Sequence, residues 1–140
     1  MKIGLNTERY LNIRIMNLVL TNVDFLDATK TGLKVVRVGF YNKYTKIDLG
    51  FIYSSERSNT IKISDKIFIK DYNQEKKYLI ECVGINLNEE IELKSVKDFR
   101  YFSLKFEAFD SVKDKLSMWQ NEEYGTKIAI IAIKLPEESS

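Results

Sequence analysis

Apolar and polar residues alternate along the segment "KIDLGFIY" (46–53), and this period-two pattern restricts the fold more than any other feature of the chain. Successive side chains of a β-strand point to opposite faces, so alternation predicts a strand with one face in the core and one in water. The segment is therefore predicted to be a half-buried strand, with Asp48 on its solvent side. Its apolar positions are Ile47, Leu49, Phe51 and Tyr53.

Similar patterns recur along the 140 residues, separated by polar segments of turn length such as "YNKYTK" (41–46). This arrangement is typical of an all-β chain and predicts one antiparallel β-sandwich of about eight strands. The sandwich is expected to span residues 1–135, with a frayed tail at 136–140. The predicted core is Phe40, Phe51, Ile80, Phe102, Leu104 and Phe106. The predicted strands are 12–20, 33–41, 46–53, 60–70 (one bent strand or two short ones), 78–82, 99–109 and 127–135.

The segment 110–124 has two interpretations. As a helix it would align Val112, Leu116 and Trp119 along one side. As a strand it would alternate Leu116 and Met118 with their polar or bulky neighbours. The segment is short, so periodicity alone does not decide between the two.

Gly84 interrupts the apolar run "YLIECVGINL" (78–87). Glycine adopts backbone angles that its neighbours Val83 and Ile85 do not, so the interruption predicts a strand end or a bulge. The segments "NLNEE" (86–90) and "KSVKD" (94–98) are predicted connections, and "FRYFSLKFEAF" (99–109) is the predicted central core strand.

Composition indicates a soluble globular domain, because 44% of the residues are hydrophobic and 30% are charged. Lysine and arginine number 22 against 20 acidic residues, a net charge of +2, and no run of five like charges occurs. Nucleic-acid binding is therefore not expected. No segment is apolar enough for membrane insertion, and the N-terminus lacks signal-peptide architecture. These features predict a cytoplasmic location, or an envelope location if Met1 is not the natural start.

The chain carries little catalytic chemistry. It has no histidine and one cysteine, which removes the commonest general base and the usual zinc ligand sets. Its six glycines are scattered and form no phosphate-binding loop. We therefore predict a protein that is not an enzyme, with no catalytic, cofactor-binding or metal-binding residues and no cofactor. Most of the carboxylates, among them Asp48, fall at solvent-facing strand positions or in loops and are expected to be solvated.

Cys82 and the aromatic residues have structural explanations as well as functional ones. Cys82 lies in an apolar stretch, where a free cysteine behaves as a small buried hydrophobe, with a reactive thiol as the alternative. Eight tyrosines, eight phenylalanines and Trp119 could form platforms for sugars or bases. Core or rim packing explains them more simply.

The segment "KIAIIAIKL" (127–135) is apolar on both of its predicted faces, unlike a strand with one face in water. The second face must be covered, either by a second subunit or protein partner, or internally by the N-terminal segment or residues 110–124. The interface candidates are Trp119, Ile128, Ile130 and Ala132.

Three stretches resemble the immunoglobulin-like β-sandwich domains of Bacteroidetes-type proteins: "IKISDKIFIKDYNQEKKYLIECVGINL", "FSLKFEAFDSVKDKLSMWQNE" and "IAIIAIKL". Together they cover residues 60–135. The resemblance implies an immunoglobulin-like sandwich of bacterial origin and an accessory role in exported or envelope proteins. The residues that carry it are Gly84, Ile85, Leu87, Phe102, Leu104, Phe106, Glu107, Ile133 and Leu135.

These observations favour a non-catalytic module that binds a protein partner or forms a homo-oligomer. One alternative is a small-ligand or glycan binder that uses Trp119 and loop tyrosines such as Tyr44 and Tyr72. Another is a small inhibitor, encoded by a phage or mobile element, that acts by protein binding.

Overall fold

The structure is a computed structural model that describes residues 11–12, 18–21, 24–27, 31–71, 75–112, 115–121 and 127–132. The all-β prediction is confirmed, since every regular element within these ranges is a strand. Accordingly, no helix among them could span a membrane. The strands are β1 (Leu11–Asn12), β2 (Leu18–Leu20), β3 (Asp24–Asp27), β4 (Leu33–Phe40), β5 (Tyr44–Ile52), β6 (Thr60–Lys62), β7 (Phe68–Lys70), β8 (Lys76–Val83), β9 (Glu90–Glu92), β10 (Phe99–Glu107), β11 (Ser111–Val112), β12 (Lys115–Trp119) and β13 (Lys127–Ala132).

Nine of these strands form one antiparallel sheet in the order β2-β4-β5-β10-β8-β7-β12-β13-β3. Two small sheets, β1-β11 and β6-β9, accompany it. Strand β3, at one end of the order, lies close to β4 near the other end. The large sheet is therefore curled, as expected from the right-handed twist of strands.

Half of the buried apolar side chains come from β4, β5 and β10. Strand β10 lies between β5 and β8, which confirms the prediction of a central core strand. Phe102 lies opposite Leu49, and Leu104 lies opposite Ile47. Of the predicted core, Phe40, Phe51, Phe102, Leu104 and Phe106 are buried. Further buried apolar residues are Leu33, Val38, Ile47, Leu49, Ile61, Ile63, Ile67, Phe68, Ile69, Leu93, Phe109, Leu116 and Met118.

Ile80 is the exception: the prediction that it belongs to the core is wrong, because it is 57% exposed. Lys105 pairs with Glu81, but Phe106 pairs with Leu79, so Ile80 has no partner on β10. Because of this bulge, the alternation of core-facing and solvent-facing side chains in β8 shifts by one residue at Ile80. Cys82 and Leu79 pack against the core, although strict alternation would have placed Ile80 there.

Strand β8 bonds to two different neighbours along its length. Its first residues pair with β7, where Tyr78 lies opposite Phe68. Its later residues pair with β10, where Cys82 lies opposite Leu104. Strands that change partners in this way make the corners of folded sheets.

The structure decides the ambiguous segments. Residues 60–70 form two short strands in separate sheets, β6 and β7. The strand interpretation of residues 115–119 is confirmed as β12, and the helix interpretation is wrong. Strand β8 ends at Val83, and Gly84 follows with a φ of 106°, so the predicted strand end is confirmed.

Candidate functional site

The outer sides of β8 and β10 present the most exposed large hydrophobic residues of adjacent strands. Residues two apart on a strand share a face, so Phe99 and Tyr101 project on the side opposite to the buried Phe102 and Leu104. Val83 lies opposite Ser103 and Glu81 opposite Lys105, which places both on this same side. We call this surface the β8–β10 face. Its residues are Tyr78, Ile80, Glu81, Val83, Phe99, Tyr101, Ser103 and Lys105.

Exposure makes the β8–β10 face unusual for a sheet surface. Phe99 is 66% exposed and Val83 58%, and Ile52, directly opposite Phe99 on β5, is exposed as well. Single exposed apolar residues are normal, whereas neighbouring ones mark interaction sites. The geometry therefore singles out this face as the candidate functional site.

One ion pair lies within the β8–β10 face. The Lys105 Nζ is 3.4 Å from a carboxylate oxygen of Glu81 and 4.6 Å from the centre of the Tyr44 ring. Tyr44 in turn packs on Tyr41, with ring centres 4.9 Å apart. Tyr44, which the sequence suggested as a loop tyrosine for ligand binding, is thus half-buried in an aromatic–cation stack. Tyr72 lies outside the described residues.

Beside the face, on the same side of the sheet, lies a buried carboxylate on β5, and the prediction that Asp48 is solvated is wrong. Asp48 is 2% exposed. It accepts hydrogen bonds from the Ser103 hydroxyl at 2.5 Å and from the Arg37 Nε at 2.7 Å, and the Lys46 Nζ is 3.7 Å away. Burial alone would raise the pKa of Asp48. The bonds from Ser103 and Arg37, with the charges of Lys46 and Arg37, outweigh that effect and lower the pKa below its ordinary value.

Trp119 lies in a second cluster that adjoins the β8–β10 face. Its indole N–H donates to the Ser117 hydroxyl at 2.9 Å, and the Lys70 Nζ lies 4.9 Å from its ring centre. Trp119 pairs with Phe68, which pairs with Tyr78, so the three share the outer side of β12, β7 and β8. The structure therefore brings the candidate Trp119 to the margin of the face.

The other interface candidates lie on β13, whose side chains are outside what the structure describes. The backbone register places Ile130 opposite Ser117 on β12 and opposite Leu26 on β3. Ala132 lies opposite Lys115, and Ile128 falls between the paired positions Lys127 and Ala129. Both edges of β13 are therefore bonded within the chain, and β12 lies beside β13 and does not cover its face. The structure does not bring Ile128, Ile130 and Ala132 into the β8–β10 face.

The sequence context of Cys82 allowed two roles, a small buried hydrophobe or a reactive thiol, and its surroundings favour the first. It is half-buried against the core, opposite Leu104, and its thiol lies 3.8 Å from the Ile85 carbonyl oxygen. Burial raises the pKa of the thiol, which lowers the fraction of reactive thiolate at neutral pH.

An open polar cavity of about 430 Å³ lies next to Gly84, lined by Asn86, Glu89, Glu92 and Arg100 among others. Asn86 donates its side-chain N–H to Glu89 at 2.9 Å. Within the described ranges no group of three or more His, Cys, Asp or Glu side chains is placed to hold a metal ion. The cavity is open and its lining is mostly polar and charged, with Ile85 and Ile91 as the apolar residues, unlike the mostly apolar pockets that hold organic ligands.

Part of the candidate site could have been read from the alternation of "FRYFSLKFEAF". Once Phe102, Leu104 and Phe106 face inwards, Phe99 and Tyr101 must face outwards. Ile80 and Val83 could not, because their placement depends on the unpaired residue in β8. The burial of Asp48 was harder to predict from the sequence. Its only indication was the presence of Arg37 and Ser103, the two bonding partners, on neighbouring strands.

No protein-family model, no curated protein and no solved structure matches this chain significantly. The geometry of the β8–β10 face therefore carries the functional argument.

Proposed function

We propose that this chain is a non-catalytic interaction or accessory module that presents the β8–β10 face to a protein. The observation that carries the proposal is the group of exposed apolar side chains on two adjacent strands, Phe99, Tyr101, Ile80 and Val83. Aromatic and aliphatic side chains around a small number of charges are the composition of protein-binding surfaces.

The surroundings of the buried Asp48 carboxylate support a binding role over a catalytic one. Both oxygens of Asp48 accept hydrogen bonds, one from Ser103 and one from Arg37. A general base must come within hydrogen-bond reach of a substrate proton, and Asp48 is only 2% exposed. Asp48 instead stabilises the sheet beside the face, because it ties β4, β5 and β10 together.

Two valine variants with the same chemical change test the proposal. Val83→Lys puts a charge in the centre of the β8–β10 face, whereas Val96→Lys puts it in the loop before β10, where Val96 is 77% exposed. We expect binding to a protein partner, measured by calorimetry, to be lost with Val83→Lys and kept with Val96→Lys. Equal binding by both variants would show that the β8–β10 face is not the binding surface. A turnover abolished by Asp48→Asn in a substrate panel would overturn the non-catalytic assignment.

A glycan is the second candidate ligand, and the pair Phe99 and Tyr101 favours it. Two exposed aromatic residues at alternate positions of one strand are separated by about 7 Å, a spacing at which rings can stack on sugar faces. Titration of a glycan library, followed by the fluorescence of the tyrosines and Trp119, tests this. A saturable change that is lost in Tyr101→Ala would favour the glycan, and a flat response across the library would exclude it.

We also propose that the curled sheet works as the two layers of an immunoglobulin-like accessory sandwich, with β8 as the corner strand. Supporting this, residues from β5 and β10 share one buried cluster with Leu116 and Met118 of β12. An experimental structure with separate sheets meeting across Phe106 and Met118 would agree, and a continuous closed ladder would contradict it.

A further inference from the structure

We infer that the β8–β10 face is the contact surface between two copies of this chain. The inference rests on the proposed interaction function and names its partner.

The charges of the face form a pattern that is its own complement. Lys105 and Glu81 lie directly opposite each other in the register, one on β10 and the other on β8. A two-fold axis parallel to these strands and midway between them exchanges their positions. Each Lys105 then lies over Glu81 of the second copy, and each Glu81 over Lys105 of the second copy. Four charges alternate in sign around the axis, an arrangement that favours this pairing over a shifted one.

The same rotation places large side chains over small ones. Val83 lies opposite Ser103 in the register, so the axis brings Val83 over Ser103 of the second copy. The two Val83–Ser103 contacts adjoin the four charges, and Tyr101 and Phe99, which continue β10 past the level of Val83, extend the contact beyond the end of β8. Interdigitation of this kind is how two sheets pack face to face.

Both strands already have a neighbour on each side within the sheet. Strand β10 is bonded to β5 and β8, and β8 to β10 and β7. The exposed side chains of these strands lie on their outer faces, and a face that carries a self-complementary ion pair fits a second copy of the same surface.

Two charge reversals test the inference, because an isologous contact responds to them in a specific way. In Lys105→Glu and in Glu81→Lys, each homodimer would juxtapose like charges at two places. We expect the wild-type chain to dimerise in light scattering behind size exclusion, and each single variant to dimerise more weakly by about tenfold or more. An equimolar mixture of the two variants should form heterodimers, because both contacts between the copies are then of opposite sign.

The double variant Lys105→Glu with Glu81→Lys is the second readout, and it restores the ion pair within each chain. We expect it to dimerise with a Kd near that of the wild type, yet not to form mixed dimers with wild-type chains. Both residues are partly exposed, so circular dichroism should show native folding for all these variants. If a single variant fails to fold, the double variant decides the question.

Ile130→Lys is the control for the alternative surface on β13, and it should leave the dimer intact. A wild-type chain that is monomeric from micromolar to millimolar concentration would overturn the inference, as would single variants that dimerise normally. A monomeric Ile130→Lys would assign the contact to β13. If the chain is monomeric but binds another protein through Val83, self-association fails and the proposed function stands.

Discussion

Phe106 and Phe99 belong to the same strand, β10, but one is fully buried and the other is 66% exposed. Replacing Phe106 by alanine removes buried apolar surface and leaves a cavity, which should cost about 3–5 kcal/mol of unfolding free energy. The same replacement at Phe99 removes a side chain that is already in water and should cost little. Urea unfolding at concentrations where the chain is monomeric measures both. Equal losses would mean that the faces of β10 are assigned wrongly.

Asp48 makes the stability of the fold depend on pH in a defined direction. Its pKa is lower in the folded state, whereas in the unfolded chain it is close to the ordinary value of about 3.9. The unfolded state therefore binds the proton first as pH falls. The stabilisation by Asp48 is complete above the unfolded pKa and is lost as pH falls through the folded one.

We expect melting temperatures of the wild-type chain to fall more steeply below about pH 4 than those of Asp48→Asn. Asp65→Asn, in the exposed turn after β6, is the control and should follow the wild-type curve. Parallel curves for wild type and Asp48→Asn would show that the Asp48 carboxylate does not make this contribution.

At the scale of strands and turns, two glycines illustrate which positions tolerate a side chain. Gly84 has a φ of 106°, and a Cβ there would lie 2.6 Å from the Tyr101 carbonyl oxygen. Gly50 lies within β5, where an added Cβ would meet only Val36, at 3.9 Å. We expect Gly84→Ala to destabilise by about 1–3 kcal/mol through backbone strain, with a further loss from the contact. Gly50→Ala should be neutral or stabilise by up to about 1 kcal/mol. Thermal unfolding distinguishes them, and a tolerated Gly84→Ala would mean that the turn has another conformation.

The elements that alternate strictly were predictable, and the irregular ones were not. Strands β5 and β10 follow period two, and their buried residues Ile47, Leu49, Phe102 and Leu104 were assigned correctly from that pattern alone. Strand β8 contains one unpaired residue, which shifts the period and moves Ile80 to the surface. A bulge is decided by the pairing of two distant strands. No local pattern in β8 could therefore reveal it, and the aliphatic half of the candidate site remained hidden.

At the scale of the whole molecule, β8 joins the two halves of the large sheet, β2-β4-β5-β10 and β7-β12-β13-β3. Because β8 bonds both β7 and β10, neither half can unfold without breaking pairs that involve this strand. We expect a single cooperative transition, in which Trp119 fluorescence, reporting on β12, coincides with far-ultraviolet circular dichroism, reporting on all strands. Refolding should take milliseconds to seconds, since distant segments such as β5 and β10 must pair. Two separated transitions would show that the halves are independent.

Because Ile80 has no partner on β10, β8 can lose this residue without a change in its pairing with β10. Deleting a residue from a regular strand inverts the faces of everything on one side of the deletion. Deleting Ile80 would remove a residue that has no partner on β10, so Leu79 would still lie opposite Phe106, and Glu81 opposite Lys105. A lineage could therefore lose or regain this codon while the core stays intact, and adjust the shape of its exposed surface in single steps.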